Sequence, residues 1–265
     1  MPEHTLPPIP EALAGRPRPL VMAHRGSSAR APENTLAAFR QALADGADLL
    51  ETDLRLTSDG VLVCLHDATL ERTGGVDWAV SDLTLDQVKS VPVACGIAGF
   101  SDERVPSLEE LLALLPPDVG LALELKDGRF LEPSVARRLG DLLRAFSVVD
   151  RTAVLSFDFG RCRAVKREVP GIRAGFLTLK GELPAAGQAE MVGPFWPILL
   201  VNPFFTLRAH RRGMFVAPLD ERPDRLLWYY RFLGCDAVLT NDPAATIRKL
   251  GRRPRQTWRE STRAM

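Results

Sequence analysis

The chain has 265 residues, 46% of them hydrophobic and 25% charged, which is enough apolar material for the core of one α/β barrel domain. The formal net charge of +1 excludes a general attraction to nucleic acid or to anionic membranes. The apolar runs are too short to span a bilayer, and the proline-rich start lacks a signal-peptide core. We therefore expect a cytoplasmic protein with no nucleic-acid partner and no stable membrane insertion, and the sequence leaves its oligomeric state open.

Short apolar runs alternate with amphipathic stretches from Leu20 almost to the end of the chain. Strands are predicted at Leu20–Ala23, Leu49–Thr57, Val61–Leu65, Leu121–Leu125, Val154–Phe157, Ile172–Leu177, Ile198–Val201, Met214–Ala217 and Ala237–Leu239. Helices are predicted at about Thr35–Ala44, after Ser107, and at Ser134–Phe146, Arg161–Glu168, Leu207–Arg212, Pro223–Leu233 and Ala244–Leu250. With Val61–Leu65 counted as a hairpin return, eight β-α units remain, which predicts an α/β fold of the (β/α)8 TIM barrel type.

Capping residues mark two of these helices at their ends. Asn34 or Thr35 is predicted to cap the first helix, and Gly46 is predicted to end it. Ser107 and Glu110 have the spacing of a capping box, which indicates that a helix begins directly after Ser107.

The repeating pattern divides the chain into segments. Residues 1–19 are an N-terminal extension, residues 20–250 form the barrel, and residues 251–265 are a basic tail with five arginines, which we interpret as a solvated terminus. The long stretch of about residues 68–105 is rich in Gly, Asp and Val and lies between a strand and its helix. We expect it to form a small inserted lobe after the second strand.

Two carboxylates stand two residues apart within the second predicted strand. Side chains at positions i and i+2 of a strand point to the same face, so Glu51 and Asp53 should lie side by side. An exposed strand would leave both acids solvated, but the surrounding leucines indicate a buried one. Because buried like charges repel each other unless a cation lies between them, the pattern favours a metal site.

The turn after this strand determines which residues of the predicted hairpin face each other. A two-residue loop at positions 59–60 would pair position 58 with position 61, and His66 would then lie opposite Asp53, at about 5 Å between Cβ atoms. A three-residue loop would instead place His66 opposite Thr52. We expect the two-residue loop.

The pattern of the carboxylate pair is repeated by Glu124 and Lys126 at the end of strand Leu121–Leu125. Polar residues at the C-terminal ends of barrel strands converge on one mouth of the barrel. Glu51, Asp53 and Glu124 would form a site with oxygen ligands only. Such a site favours a hard divalent cation, Mg²⁺ or Ca²⁺ with Mn²⁺ as a further candidate, over zinc or copper.

The loop after the first predicted strand carries His24-Arg25-Gly26. The planar guanidinium of Arg25 suits a phosphate group, and Gly26 lets the backbone turn closely around a ligand. His24 and His66, two of only four histidines, would meet at the same mouth and could divide acid and base roles. His4 and His210 lack such neighbours, and we assign them no role.

These residues belong to an ordered set of motifs that resembles the glycerophosphodiester phosphodiesterases. The set spans about residues 20–250 and consists of Ala23-His24-Arg25-Gly26, Pro32-Glu33-Asn34-Thr35, Glu51-Thr52-Asp53, His66-Asp67, Val105-Pro106-Ser107-Leu108-Glu109-Glu110, Glu124-Leu125-Lys126, Ser156-Phe157, Gly234-Cys235-Asp236 and Thr240-Asn241-Asp242-Pro243. His24-Arg25-Gly26 alone would be a weak signal, whereas the ordered combination is specific.

The resemblance implies a barrel with an inserted lobe after the second strand, and an enzyme that cleaves a small-molecule glycerophosphodiester to glycerol 3-phosphate and an alcohol. Carried over by position, it implies a divalent cation on Glu51, Asp53 and Glu124, an acid–base pair of His24 and His66, and phosphate binding by Arg25 and Lys126. Glu33 is similar to the family's acidic residue beside the site, where it would contact metal-bound groups or orient Arg25.

Two positions depart from the family's pattern. Members commonly carry a Trp-Thr-Val-Asn-like run at the end of the seventh strand, whose tryptophan lines the glycerol pocket, but this chain has Val216-Ala217-Pro218-Leu219-Asp220 there. We therefore expect Phe204, Phe205 or Trp78 to supply the aromatic wall. Asn241 stands where the family often has Asp.

Two alternative functions stay open at this point. A phospholipase D-like enzyme acting on lysophospholipids or sphingolipids would use the same metal and histidines, but it would need an apolar rim. The inserted lobe, with Val91, Val93, Ile97 and Phe100, could supply one. A non-catalytic binding barrel is the second alternative, although every residue predicted to act chemically is present.

Overall fold

Eight parallel strands form a nearly closed barrel in the computed structural model, which describes residues 10–253. The strands of the sheet are β1 (Leu20–Ala23), β2 (Leu49–Leu56), β3 (Leu62–Cys64), β4 (Gly120–Leu125), β5 (Thr152–Ser156), β6 (Arg173–Thr178), β7 (Met191–Pro194), β8 (Phe215–Val216) and β9 (Ala237–Thr240). Their spatial order is β8-β7-β6-β5-β4-β2-β1-β9, and β3 is an antiparallel addition to β2. The backbone N–H of Asp236 donates to the carbonyl oxygen of Val216 at 2.9 Å, so β9 and β8 meet where the ring closes. The predicted (β/α)8 barrel is confirmed.

Helices follow most of the parallel strands. They are α1 (Leu36–Asp45), α2 (Glu71–Gly74), α3 (Leu85–Ser90), α4 (Leu108–Ala113), α5 (Pro133–Ala145), α6 (Phe159–Glu168), α7 (Pro197–Val201), α8 (Phe205–His210), α9 (Leu227–Phe232) and α10 (Pro243–Lys249). Short 3-10 helices occupy Glu11–Leu13, Val80–Asp82, Gly128–Leu131, Val149–Arg151 and Pro223–Arg225. None of the helices in the described residues has both the length and the apolar character that crossing a lipid bilayer requires.

The predicted caps are present at the ends of α1 and α4. The Thr35 side chain accepts a hydrogen bond from the Ala38 backbone N–H at 3.2 Å, and Gly46 ends α1 with φ of 93°. Ser107 accepts from the backbone N–H of Glu110, and the Glu110 carboxylate accepts from the backbone N–H of Ser107 at 2.8 Å. These bonds satisfy N–H groups that have no partner within the helix.

Alternating side chains of β2 and β4 separate the barrel interior from the layer under the helices. Leu50 and Leu121 point outward into a large cluster with helix residues, whereas Leu49 and Ala122 point into the barrel. Leu13 of the N-terminal extension belongs to the interior cluster, and it lies close to the start of β4. The strand N-termini therefore surround an end of the barrel that is filled largely by apolar side chains.

The hairpin of β2 and β3 differs from the expected register. Leu54 pairs with Cys64, and the Thr57 N–H donates to the Val61 carbonyl oxygen at 3.0 Å, so the loop contains three residues, 58–60. The Asp53 carbonyl oxygen accepts from the backbone N–H of Leu65 at 2.9 Å. The predicted pairing of His66 with Asp53 is therefore wrong. The Thr57 hydroxyl, which bonds to the backbone N–H of Val61, stabilises the longer loop.

The strand predicted at Ile198–Val201 is also wrong. That run forms helix α7, and the barrel strand in this region is β7, seven residues earlier. A short apolar run does not distinguish a strand from a buried helix, and Pro197 is suited to the first turn of a helix. Gly193 interrupts the hydrophobic pattern, so the pattern does not predict β7. Packing requires the glycine, because a Cβ there would lie 2.6 Å from Leu177 Cδ2.

The segment of about residues 68–105 forms a small lobe after the second strand. It contains α2 and α3, and its valines join Val63 and Leu65 around β3 in a separate apolar cluster. Val91 and Val93 are buried in that cluster, so they do not form the apolar rim considered for a lipid substrate. Residues 1–9 of the predicted extension and 254–265 of the predicted tail lie outside the described residues.

Candidate active site

A cavity of about 580 Å³ opens at the C-terminal ends of the barrel strands. One side of it is polar, and the predicted site residues that line it are His24, Arg25, Glu51, His66, Glu124 and Lys126. Asp53 lies in the same carboxylate cluster as Glu51 and Glu124, and Glu33 contacts Arg25. The structure therefore brings all eight predicted site residues together, although they come from segments up to 102 residues apart in sequence.

The three carboxylates form a compact buried cluster. One oxygen of each of Glu51, Asp53 and Glu124 lies within 4.8 Å of the others. The parallel register of β2 and β4 explains this, because it places Asp53 and Glu124 directly beside each other. Burial, followed by the charges of Asp53 and Glu124, raises the pKa of Glu51 well above its ordinary value. The cluster therefore requires compensating positive charge.

Two basic side chains provide part of that charge. The Lys126 ammonium lies 2.7 Å from Glu124 Oε1 and 3.4 Å from Asp53 Oδ1, and Arg25 Nε lies 3.0 Å from Asp53 Oδ2. Burial alone would raise the pKa of Asp53, but the charges of Arg25 and Lys126 outweigh it and lower that pKa. The cluster contains three carboxylates and two basic side chains, so at least one further positive charge is needed to balance it.

The donor set fits a divalent cation on geometric grounds. Two oxygens bound to one Ca²⁺ at about 2.4 Å each lie no more than about 5 Å apart, which matches the spacing within the cluster. The buried Asp53 Oδ1 accepts no hydrogen bond, although the Lys126 ammonium forms an ion pair with it at 3.4 Å. An oxygen-only cluster with one unsatisfied buried oxygen could hold a hard cation on Glu51, Asp53 and Glu124.

Arg25 has an unusual backbone conformation at the point where it contacts the cluster. Its φ is 55°, a left-handed conformation that costs a non-glycine residue about 1–3 kcal/mol and is concentrated at functional sites. Its backbone N–H donates to Glu51 Oε2 at 2.9 Å, which offsets part of that cost. Gly26 follows with φ of 81°, and a Cβ there would lie 2.6 Å from the Ala38 carbonyl carbon. Close packing of this turn against α1 therefore requires glycine at position 26.

Asn34 is a site residue that the sequence interpretation did not recognise beyond its capping potential. Its Nδ2 donates to Asp53 Oδ2 at 3.0 Å, and its Oδ1 accepts from the Thr52 hydroxyl at 2.7 Å. The side chain therefore holds the Asp53 carboxylate in place. A signal was present in the sequence, because Asn tolerates the left-handed conformation that it adopts here, with φ of 56°.

The ring of His24 is held by Asn241, which stands where the family often has Asp. Its Nδ1–H donates to Asn241 Oδ1 at 2.7 Å, which leaves Nε2 as the free ring nitrogen. Burial lowers the pKa of His24, and the positive charge of Arg25 lowers it further. The hydrogen bond to Asn241 and the charges of Asp53 and Glu221 act in the opposite direction but do not outweigh them.

His66 is held by a chain of charged contacts that leads into the inserted lobe. Its Nδ1–H donates to Asp67 Oδ1 at 2.7 Å, and Asp67 Oδ2 accepts from Arg72 Nε of α2 at 2.5 Å. The two terminal nitrogens of Arg72 donate to the two oxygens of Glu33 at 2.8 and 2.7 Å. Glu33 also accepts from Arg25 at 3.0 Å. The sequence interpretation assigned no role to Asp67 or Arg72.

The other side of the cavity is mainly apolar, although Asp220, Glu221 and Arg222 after β8 also line the cavity. Its wall comes from residues at or after the ends of β5, β6, β7 and β8, namely Leu155, Phe157, Leu177, Leu179, Phe195, Trp196 and Leu219. The expectation for the aromatic wall is wrong. Phe205 is the first residue of α8 and is buried in a separate core cluster, and Phe204 and Trp78 are not among the residues that line this cavity. Phe157, Phe195 and Trp196 line the cavity instead. Phe195 and Trp196 directly follow β7, the strand that the sequence pattern does not predict.

Comparison with known proteins supports the same assignment. Residues 24–245 match the model of the glycerophosphoryl diester phosphodiesterase family. A glycerophosphodiester phosphodiesterase of Caldanaerobacter subterraneus is 31% identical over 237 residues, which cover 86% of this chain and 96% of that protein. The family match spans both histidines and all three carboxylates of the cluster.

Two solved structures share the fold. An Oleispira antarctica phosphodiesterase, in complex with the product sn-glycerol-3-phosphate, is 26% identical with a TM-score of 0.78 and covers 88% of this chain and 97% of its own. A glycerophosphodiester phosphodiesterase from Agrobacterium tumefaciens, 24% identical, has a TM-score of 0.75 and covers 86% of this chain and 98% of its own. With its barrel, its inserted lobe and its ordered motifs, the chain belongs to the glycerophosphoryl diester phosphodiesterase family.

Proposed function

We propose that this protein hydrolyses glycerophosphodiesters to glycerol 3-phosphate and an alcohol, with a divalent cation on Glu51, Asp53 and Glu124. One observation carries the proposal: a buried carboxylate cluster with an unsatisfied oxygen lies between two cationic side chains and beside two histidines at the mouth of this family's barrel. The product complex of the Oleispira antarctica relative supports a small glycerol phosphate as ligand. The cation would be Mg²⁺ or Ca²⁺, with Mn²⁺ as a further candidate.

Arg25 and Lys126 are suited to hold the phosphate of the substrate. Both side chains line the cavity, and both are anchored by the carboxylate cluster, so their charges are directed to one point. Glu33 orients Arg25 through the 3.0 Å hydrogen bond. When bound, the cation neutralises charge on the phosphodiester and polarises it toward attack. The same cationic groups favour the additional charge that develops in the transition state.

His24 and His66 are suited to move the two protons of the hydrolysis. Each has its Nδ1–H bound to an acceptor, Asn241 or Asp67, so each presents Nε2 for proton transfer. One imidazole removes a proton from the attacking hydroxyl, and the other protonates the alkoxide that leaves. The two differ in their partners, because Asn241 is a neutral amide and Asp67 is an acid.

Cation removal and loss of one cluster carboxylate test the proposed activity together. With glycerophosphocholine and Mg²⁺ or Ca²⁺, the wild type should release glycerol 3-phosphate, and excess chelator or Glu51→Gln should lower kcat at least about 10³-fold. Asp141→Asn is the matched control, since this acid pairs with Arg144 at an exposed position on α5. Full activity in excess chelator, or in Glu51→Gln, would contradict the proposed metal site.

The two histidines are tested by removal of each imidazole. His24→Ala and His66→Ala should each lower kcat about 10²- to 10⁴-fold, because each loses one proton-transfer group. His210→Ala serves as the control. That histidine bonds to Asp236, which precedes β9 at the filled end of the barrel, and its loss should leave kcat unchanged. Unchanged kcat in either of the first two variants would remove that histidine from the mechanism.

Asn241→Asp should raise the pKa of His24. A carboxylate at 2.7 Å from Nδ1 favours the imidazolium, which opposes the lowering that burial and Arg25 cause. The limb of the pH–rate profile that belongs to His24 should move to higher pH. Movement of the rising limb identifies His24 as the base, and movement of the falling limb identifies it as the acid. NMR titration of the His24 ring in the variant provides the direct measurement, and a pKa that is unchanged or lower contradicts the prediction.

A further inference from the structure

One side chain of the inserted lobe reaches the charged half of the barrel mouth. Arg72 lies on α2, and its Nε donates to Asp67 Oδ2 at 2.5 Å. The two terminal nitrogens of the same guanidinium donate to the two oxygens of Glu33 at 2.8 and 2.7 Å. Asp67 follows β3 and Glu33 follows β1, so Arg72 joins two segments that become neighbours only in the folded barrel.

The planar guanidinium fixes the two carboxylates relative to each other. A fork that is bound through all three of its nitrogens specifies orientation as well as distance. Burial alone would raise the pKa of Glu33, but the contacts with Arg72 and Arg25 outweigh it and lower that pKa. Burial would also raise the pKa of Asp67, which the contacts with His66 and Arg72 lower instead. Both acids are therefore charged at neutral pH, and without the guanidinium they would repel each other.

Each carboxylate holds one group of the proposed mechanism. Asp67 Oδ1 accepts from His66 Nδ1–H at 2.7 Å, which fixes the plane of the imidazole. Glu33 Oε1 accepts from Arg25 Nη1 at 3.0 Å, and Arg25 Nε in turn lies 3.0 Å from Asp53 Oδ2. The guanidinium of the lobe thus stands between a proton-transfer group and a phosphate-binding group, two contacts away from each.

The core of the lobe fixes the helix that carries this arginine. Leu70, at the N-cap of α2, is fully buried in the apolar cluster of the lobe, and its backbone N–H donates to the Trp78 carbonyl oxygen at 3.1 Å. At the other end of α2 the backbone packs closely, because a Cβ at Gly74 would lie 2.6 Å from Val91 Cγ1. The packing of the lobe therefore helps to set the position of the guanidinium, together with the two acids that it binds.

Direct phosphate binding is one alternative role for an arginine near this mouth. Arg72 is not among the residues that line the cavity, and each of its three nitrogens already donates to a carboxylate. Stability of the lobe is a second alternative, but a side chain that is 47% exposed forms ion pairs that solvent screens and that contribute little to folding. The contacts are instead those of a residue that acts through its two partners.

We infer that Arg72 is a positioning residue, which couples the inserted lobe to the site and sets the His66 ring and the Arg25 guanidinium relative to each other. Its kinetic consequences rest on the proposed function, because they require those two groups to act on the substrate. When Arg72 is removed, the repulsion between Glu33 and Asp67 moves both acids, so the imidazole and the guanidinium lose their common alignment.

Removal of the side chain and its replacement from solution test this role. With glycerophosphocholine and Mg²⁺ or Ca²⁺, Arg72→Ala should lower kcat about 10- to 100-fold, as the loss of an orienting partner does at other sites. Millimolar guanidinium should restore part of the loss, because it can occupy the space between the two carboxylates. Lys89→Ala is the matched control, since Lys89 of α3 also pairs the lobe with the barrel, at 2.6 Å from Glu110, but away from the cavity. The control should show neither loss nor rescue.

A double-mutant cycle shows whether the effect passes through the two acids. If Arg72 acts through Asp67, its removal should matter less once that carboxylate is gone. The loss of kcat in the double variant Arg72→Ala/Asp67→Asn should therefore be at least about 3-fold smaller than the product of the two single losses. Arg72→Ala combined with Glu33→Gln should deviate from the product in the same direction.

The outcomes separate this inference from the proposed function. Unchanged kcat in Arg72→Ala overturns the positioning role, and so does a loss that guanidinium does not relieve or that multiplies with both acid variants. If Arg72→Ala does not fold, Arg72→Lys is measured instead, and wild-type kcat in it would overturn the role, because a single ammonium cannot replace the planar fork. If the wild type hydrolyses no glycerophosphodiester, the proposed function fails, and a crystal structure of the Arg72 variant decides the positioning role. Unchanged positions of His66 and Arg25 would then overturn it, and a displaced His66 ring or Arg25 guanidinium would support it.

Discussion

The mutual repulsion of three buried carboxylates is the constraint around which the site is organised. Glu51, Asp53 and Glu124 are brought within 4.8 Å because β2 and β4 are parallel neighbours in register. Like charges at this distance in a poorly solvated interior are costly, and the raised pKa of Glu51 reflects that cost. Most of the other unusual features nearby supply positive charge or hydrogen-bond donors to this cluster.

The backbone around the first motif illustrates this dependence. Arg25 and Asn34 both adopt left-handed conformations, and both direct donors to the cluster, Arg25 to Glu51 and Asp53 and Asn34 to Asp53. The backbone N–H of Asn34 also donates to the Arg25 carbonyl oxygen at 3.0 Å, so the two strained residues stabilise each other. Local strain is thus retained where it aligns donors with buried charge.

The inserted lobe and the apolar wall act on opposite sides of this charged centre. The lobe has its own valine cluster, and it extends toward the barrel mouth through Arg72, which connects Asp67 with Glu33. The wall is formed by residues that follow β5, β6 and β7, among them Phe157, Leu179 and Phe195, and charged residues after β8 also line the cavity. One side of the cavity is therefore strongly charged, and the other side is mainly apolar.

The sequence by itself determined the barrel fold and predicted the lobe and the residues that meet at the barrel mouth, because strand periodicity, capping patterns and the ordered motifs are local signals. It could not determine the β2–β3 register, since the Thr57 hydroxyl selects a three-residue loop, nor strand β7, which Gly193 conceals. The tertiary structure alone decided which residues support the site. Asn34, Asp67, Arg72 and Asn241 act through contacts whose partners lie up to 217 residues away, and the apolar wall at Phe157, Leu179 and Phe195 forms where separate strands end side by side. Such contacts depend on distances between segments, which no local pattern in the sequence encodes.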